Sequence, residues 1–336
     1  MMKKRKILAL VLAMSLTVCT CFTSCNNEDK DKNTSSGSVV SDVVSDGKEV
    51  VSGIESEGEK IISGTESNME SMFSNDSSEE SNRDASLDAS SYAAANAPTD
   101  ISKLDFSSLS SLSNEKHGWG QGKETDEKNR PVSCLQFQEK YGNLNADFIG
   151  SEKKEILLTF DEGYENGYTE KILDVLKEEK CPAVFFVTMP YVKENPDLIQ
   201  RMIDEGHTVG NHTVNHPSMP QISLEEAAQE ITELHQYIKE NFDYEMTLFR
   251  PPMGEWSEQT LALTQKLGYR SVFWSFAYQD WLTDQQPDPD EALQKVNESL
   301  HPGAIYLLHA VSSTNTAILS DFIEFARSEG YVFQSI

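Results

Sequence analysis

A parallel α/β fold is predicted for the C-terminal two thirds of this 336-residue chain, and three observations predict it. Short apolar runs alternate with amphipathic helical stretches from about residue 112 onward, the pattern of successive βαβ units. Gly268 and Gly330 stand where helix-terminating glycines belong, just ahead of apolar runs. Polar clusters recur immediately after those runs, at the strand ends where parallel α/β folds bind ligands.

The apolar runs cover residues 156–160, 183–187, 208–211, 246–249, 271–275, 304–308 and 331–334, with helices between them. Ser223 followed by Glu226 forms a capping box that opens a helix reaching about Glu240. Alternation of this kind fits a closed barrel and an open doubly wound sheet equally. A stretch of about 225 residues suits one large domain.

The first hundred residues differ in character. Residues 2–6 are basic, and residues 7–18 form an apolar run too short to cross a bilayer comfortably, the layout of a secretory signal. The run leads to Phe22, Thr23, Ser24 and Cys25, followed by polar Asn26, Asn27 and Glu28. A signal ending at a cysteine resembles the lipobox of bacterial lipoproteins, in which that cysteine is acylated. Cys25 is the expected lipidation site, with Cys21 as its rival and an ordinary cleaved signal as the alternative. Residues 1–25 then read as a lipoprotein signal peptide, 26–109 as an acidic Ser-rich linker, and 110–336 as the folded domain. The expected location is outside the cytoplasm, anchored to the cell membrane.

The linker carries 18 acidic against 6 basic residues, a composition that favours disorder. Apolar pairs recur in it every eleven residues, at Val39-Val40, Val50-Val51, Ile61-Ile62 and Met72-Phe73. That period corresponds to about 3.67 residues per helical turn and would align the pairs as one stripe, a plain flexible spacer being the alternative. The formal net charge is −27, so the basic footprint of a nucleic-acid binder is absent. Beyond the leader only Cys134 and Cys181 remain; one bridge between them is possible, and Cys181 reads better as a small apolar core residue.

Five polar clusters follow five of the predicted strands: Asp161 and Glu162; His212 and His216; Arg250 to Gly254; Asp280 and Trp281; and His309. His212 and His216, four apart, would lie on one face if the segment were a helical turn, close enough to share one ion. Imidazole suits zinc and similar divalent ions, and a carboxylate can complete three protein ligands while leaving a position for water. Adjacent Asp161 and Glu162 cannot both point the same way from an extended end, so one is a candidate ligand and the other a candidate base. His309 is the candidate acid. Taken alone, each cluster has a plainer structural reading: a cap, a rigid turn, a satisfied core histidine. Their ordered recurrence at strand ends is what favours chemistry.

The segments TFDEGYENGYT, HTVNH, RPPMG, DW and LLH, in this order, resemble the five motifs of the polysaccharide deacetylase family, carbohydrate esterase family 4. The resemblance covers roughly residues 110–336. FDEGYENGYT, VFWSFAYQDW and HPGAIYLLHAVS are most similar to the spore-cortex muramic-acid deacetylases of the δ-lactam pathway, and HGWG…EKYG resembles their N-terminal extension. The resemblance implies a distorted (β/α) barrel and metal-dependent de-N-acetylation of a cell-wall polysaccharide, most specifically N-acetylmuramic acid in peptidoglycan. It implies Asp161 as catalytic base, His212 and His216 as metal ligands, and Arg250 as the holder of the base. It further implies Asp280 as the partner tuning the acid His309, and the backbone N–H near Met253 as an oxyanion donor. The family usually has Asp where this chain has Glu162, so Glu162 either completes the metal site or points away from it. An O-acetyl polysaccharide esterase and a wall-binding pseudoenzyme are the alternatives. A glycosidase with paired carboxylates would leave both histidines idle.

Overall fold

Strand β3 (Glu155–Glu162) is the axis around which the sheet is built. The computed structural model describes residue 101 and residues 104–336. The signal peptide, Cys25 and the eleven-residue repeat lie outside the described residues. In chain order the other strands are β1 (His117–Gly118), β2 (Ala146–Asp147), β4 (Val184–Val187), β5 (Thr208–Asn211), β6 (Leu248–Phe249), β7 (Glu255–Trp256), β8 (Arg270–Val272), β9 (Ala304–His309) and β10 (Val332–Phe333).

Eight strands form one parallel sheet in the order β10-β3-β4-β5-β6-β8-β2, with β9 on the other edge of β3. The sheet curls until its ends meet. Beyond β8 the chain bridges β9 at Phe276 and Tyr306, and Gly150, just past β2, donates its N–H to the Gly303 carbonyl at 2.7 Å. The architecture is the distorted (β/α) barrel that the family resemblance implies. Gly303 is required at this seam: its φ is 73°, and an added Cβ would lie 2.2 Å from the Ser151 carbonyl oxygen.

Side chains alternate between two faces along β3. Leu157 packs inside the barrel with Val184, Phe186, Leu248, Val272 and Ile305. Leu158 and Phe160 face outward into the larger core formed with Ile172 and Leu173, Ile199, Ile231 and Ile323 of the surrounding helices. By the same alternation Thr159 and Asp161 belong to the interior and Glu162 to the outer layer. The largest helix, Leu224–Phe242, carries the expected capping box of Ser223 and Glu226 and runs two residues past the expected end. Gly268 and Gly330 both have φ of 83°, as helix-terminating glycines should.

An N-terminal layer lies beyond what strand periodicity showed. β1 pairs antiparallel with β7, β2 extends the sheet beside β8, and the helix Val132–Tyr141 packs between them. Trp119, Phe137, Tyr141, Phe148, Trp256 and Phe273 form its aromatic core, Phe148 and Phe273 being stacked at 4.3 Å. Packing begins a few residues before the expected boundary at 110. Leu104, Phe106 and Leu109 rest on the main core, and Lys266 donates to the Asp105 carbonyl at 2.7 Å. Cys134 and Cys181 are separate buried thiols. The bridge left open from the sequence is not formed, and Cys181 fills the core beside Leu176 and Ala183.

Candidate active site

The polar clusters meet at the C-terminal rim of the barrel. Asp161 near the end of β3 and His309 at the end of β9 are register partners on neighbouring strands. Arg250 follows β6 with its side chain buried in the barrel. Its Nη1 donates to Asp161 Oδ1 at 2.7 Å and to Thr159 Oγ1 at 2.8 Å. Its Nε and Nη2 donate to the carbonyls of Val272 and Phe273 at 3.0 and 3.2 Å. The guanidinium also lies over the Phe186 ring, 4.2 Å from its centre. Four acceptors, two on β3 and two at the end of β8 and the residue after it, together with an aromatic face therefore fix this cation, which in turn fixes the carboxylate. Burial alone would raise the Asp161 pKa; the charge of Arg250 beside it outweighs burial and holds the carboxyl below its ordinary value. Asp161 is thus a carboxylate with one oxygen engaged and the other, Oδ2, facing His212 Nε2 at 3.6 Å.

His212 and His216 are brought together, though not by a helix. Thr213 and His216 have φ of 74° and 55°, and the segment is an irregular loop. Its turn is closed by Asn211 Oδ1, which accepts from Thr213 N at 2.9 Å, and by Thr213 Oγ1, which accepts from His216 N at 2.9 Å. Pro217 explains the failure of the helical expectation, because the residue before a proline is driven out of the α region. His212 Nδ1 lies 2.9 Å from the Arg250 carbonyl, which only accepts, so Nδ1 carries the hydrogen and Nε2 keeps its lone pair. The two Nε2 atoms converge at 3.2 Å. Burial pushes the pKa of both rings down, that of His216 to about 3, so both are neutral and lone-pair-bearing. Two ligands at about 2.0–2.1 Å from one tetrahedral ion stand about 3.3–3.4 Å apart, so the pair fits a divalent metal.

Glu162 does not join them. It is fully buried on the outer face of β3, and neither carboxyl oxygen has a hydrogen-bond partner among the described residues. Burial, reinforced by Glu165 and Asp161, pushes its pKa well above the usual range. Strand alternation gives the reason: Asp161 takes the interior face, so its neighbour must point away. Contrary to the expectation that Glu162 ligates metal, its side chain lies on the other face of β3 from the histidine pair. Among the described residues no group of three or more His, Cys, Asp or Glu side chains forms a metal cage.

On the opposite side of the rim, His309 Nδ1 lies 2.7 Å from Asp280 Oδ1, and the His309 backbone N–H donates to Asp280 Oδ2 at 2.9 Å. Burial opposes charge on His309, but the Asp280 carboxylate outweighs it and raises the ring's pKa. Trp281 stands edge-on to the imidazole at 5.5 Å between ring centres. Met253 lies in the turn after Arg250 with a left-handed φ of 57°, and Gly254 follows at 65°. Asn315, which sequence reasoning passed over, donates to Asp280 Oδ2 at 2.6 Å. A polar residue in a helical first turn gives no periodic signal by which to find it.

A curled parallel barrel carrying a held carboxylate, two converging imidazoles and a carboxylate-backed histidine defines a carbohydrate-esterase rim. The family model for polysaccharide deacetylase matches residues 149–272. The chain is 44% identical over 227 residues to an uncharacterized 30.6 kDa protein of Geobacillus stearothermophilus, covering 67% of this chain and 85% of that one. It is 40% identical over 225 residues to the peptidoglycan-N-acetylmuramic acid deacetylase PdaA of Bacillus subtilis, covering 66% and 85%. The solved structure of B. subtilis PdaA, a family 4 carbohydrate esterase, matches with a TM-score of 0.64 and 39% identity over 67% of this chain and 96% of that one. The chain belongs to the polysaccharide deacetylase family, and it is a hydrolase of the carbon–nitrogen bond of N-acetyl groups.

Proposed function

We propose that this protein removes N-acetyl groups from peptidoglycan, with N-acetylmuramic acid as the target sugar on the route to muramic δ-lactam. The single observation that carries the chemistry is the register of Asp161 against His309, which sets a base and an acid on adjacent strands across one reaction centre. The muramic-acid preference rests on similarity to PdaA, whose name states that substrate.

His212 and His216 would hold a divalent metal ion, zinc first among candidates, which when bound polarises the acyl oxygen and makes water more acidic. Asp161 takes the proton of the attacking water at Oδ2, the oxygen that Arg250 leaves free. The backbone N–H near Met253 donates to the oxygen that becomes negative in the tetrahedral intermediate. His309 Nε2–H gives its proton to the departing amine, so acetate and a free amino sugar result. The leader sequence supports export and lipidation at Cys25, and the acidic Ser-rich segment that follows then joins the lipid to the folded domain.

The test is acetyl loss, measured by mass spectrometry, from glycan strands bearing bare and peptide-substituted muramic acid. Loss of one acetyl per disaccharide, confined to bare muramic acid, is the expected result; loss from glucosamine alone would overturn the sugar assignment. The position of Glu162 favours a second reading, a wall-binding protein with impaired catalysis. It predicts glycan binding without acetate release in the zinc-loaded protein.

A further inference from the structure

The acid side of the rim rests on residues outside the family's motifs. Asp280 belongs to no strand or helix, yet it is 1% exposed and must aim His309. Asn315 lies in the first turn of the helix Ser313–Ser328 and is likewise 1% exposed. Its Nδ2 donates to Asp280 Oδ2 at 2.6 Å and to the His309 carbonyl at 3.1 Å, while its Oδ1 accepts from the Tyr278 hydroxyl. Both amide hydrogens and the amide oxygen are therefore used, which also sets the orientation of the amide. Asn315 is fixed in turn by the helix cap: its N–H donates to Ser312 Oγ at 3.0 Å, and Ser312 Oγ donates to Gln286 Oε1 at 2.5 Å. Gln286 Nε2 returns to the carbonyls of Asp280 and Leu282, both at 2.8 Å.

We propose that Asn315 and Tyr278 are positioning residues for proton delivery: they lock the Asp280 carboxylate so that His309 Nε2 points at the leaving nitrogen. The helix start thereby supplies the rigidity that the irregular segment around Asp280 lacks. The Asp280 carboxylate receives three hydrogen bonds, two from His309 and one from Asn315, so removing Asn315 frees Oδ2 to swing. Tyr278 acts one step further out, keeping the Asn315 amide from turning over. Neither residue touches substrate, and the inference rests on the assignment of His309 as the acid.

A leaving-group comparison tests it with the full chain. An amine must be protonated to depart, whereas 4-nitrophenolate leaves without help. Acetate release from peptidoglycan strands and hydrolysis of 4-nitrophenyl acetate are measured for the parent, His309→Ala, Asn315→Ala and Tyr278→Phe. The expected result for Asn315→Ala is a kcat about 10–100-fold lower on the glycan, with KM held, and a clearly smaller loss on the aryl ester. Tyr278→Phe, which keeps the ring and the core, should show the same split at lower amplitude, so the inference stays testable if Asn315→Ala folds poorly. Equal losses on both substrates, or a loss carried by KM, would overturn the positioning role. A split for His309→Ala but not for the other two defeats this inference alone. No split for His309→Ala defeats the acid assignment and the inference with it.

Discussion

On the β6 side of the rim a cation holds the carboxylate proposed as base; on the β9 side a carboxylate holds the imidazole proposed as acid. Burial acts against charge on both reacting groups, and in both the opposite charge of the holder wins. Asp161 is pulled below its ordinary pKa and His309 is raised above its own, so the carboxylate base and the imidazolium acid coexist near neutral pH. Glu162 shows what burial does without a holder: its carboxyl is pushed well above the usual carboxylate range. The holders differ in kind. Arg250 is fastened to the barrel wall by carbonyls of its own sheet, whereas Asp280 is fastened by a loop and a helix start. The proposed base is set by the barrel wall itself, the proposed acid by a peripheral lock.

The comparison breaks most severely at Asp161→Asn, which keeps the shape and removes the proton acceptor. Acetate release should fall by about 10²–10⁴-fold, and a variant that retained full activity would exclude the base assignment. Arg250→Met strips the carboxylate of its holder. The uncompensated buried charge should cost about 3–5 kcal/mol in urea unfolding, and the acid limb of the pH–rate profile should move to higher pH as Asp161 loses its depressed pKa. Asp280→Asn probes the other holder. His309 is protonated below its raised pKa and loses its proton as pH climbs through it, so the alkaline limb should move to lower pH, with kcat down about 10–100-fold.

Chelation sharpens the role of the histidine pair. Treatment with a strong chelator should lower acetate release, and added zinc should restore it in the parent but not in His216→Ala. The smallest effect belongs to Glu162→Gln. A group whose folded pKa is raised contributes stability at pH below its unfolded value of about 4.3, and that contribution is lost as pH rises through the folded pKa. The parent should therefore lose stability on going from pH 5 to pH 8 relative to the variant, read as the difference in urea midpoint at the two pH values.

Much of the fold was legible in the sequence because it lies in short apolar runs ending in polar residues. Seven apolar runs appear as β3, β4, β5, β6, β8, β9 and β10, and Asp161, Arg250 and His309 sit at or just past strand ends as expected. The histidine pair was legible for the wrong reason. Spacing suggested a helical face, while the actual loop depends on positive φ at Thr213 and His216, which no periodicity encodes. β1 (His117–Gly118), β2 (Ala146–Asp147) and β7 (Glu255–Trp256) each include a polar residue or a glycine and lie in no apolar run, whereas the equally short β6 and β10 lie within apolar runs. Asn315 and Tyr278 matter through partners reached from distant parts of the chain, Tyr278 lying 37 residues from Asn315, and only the fold brings them together.

The seam between β2, the segment at Phe276 and β9 has a consequence for the order in which the molecule is made. β3 is among the first strands to leave the ribosome, but its long partner β9 is among the last, and Gly150 waits for Gly303. Until residue 309 has been synthesised, one edge of β3 has no partner and the nascent chain carries Asp161, the proposed base, beside an empty place. Such non-local pairing slows folding and lengthens the interval in which the chain is exposed to aggregation and proteolysis. It also means that no partially synthesised chain can assemble the base with the acid: hydrolytic competence arrives in a single step, when the last long strand is inserted.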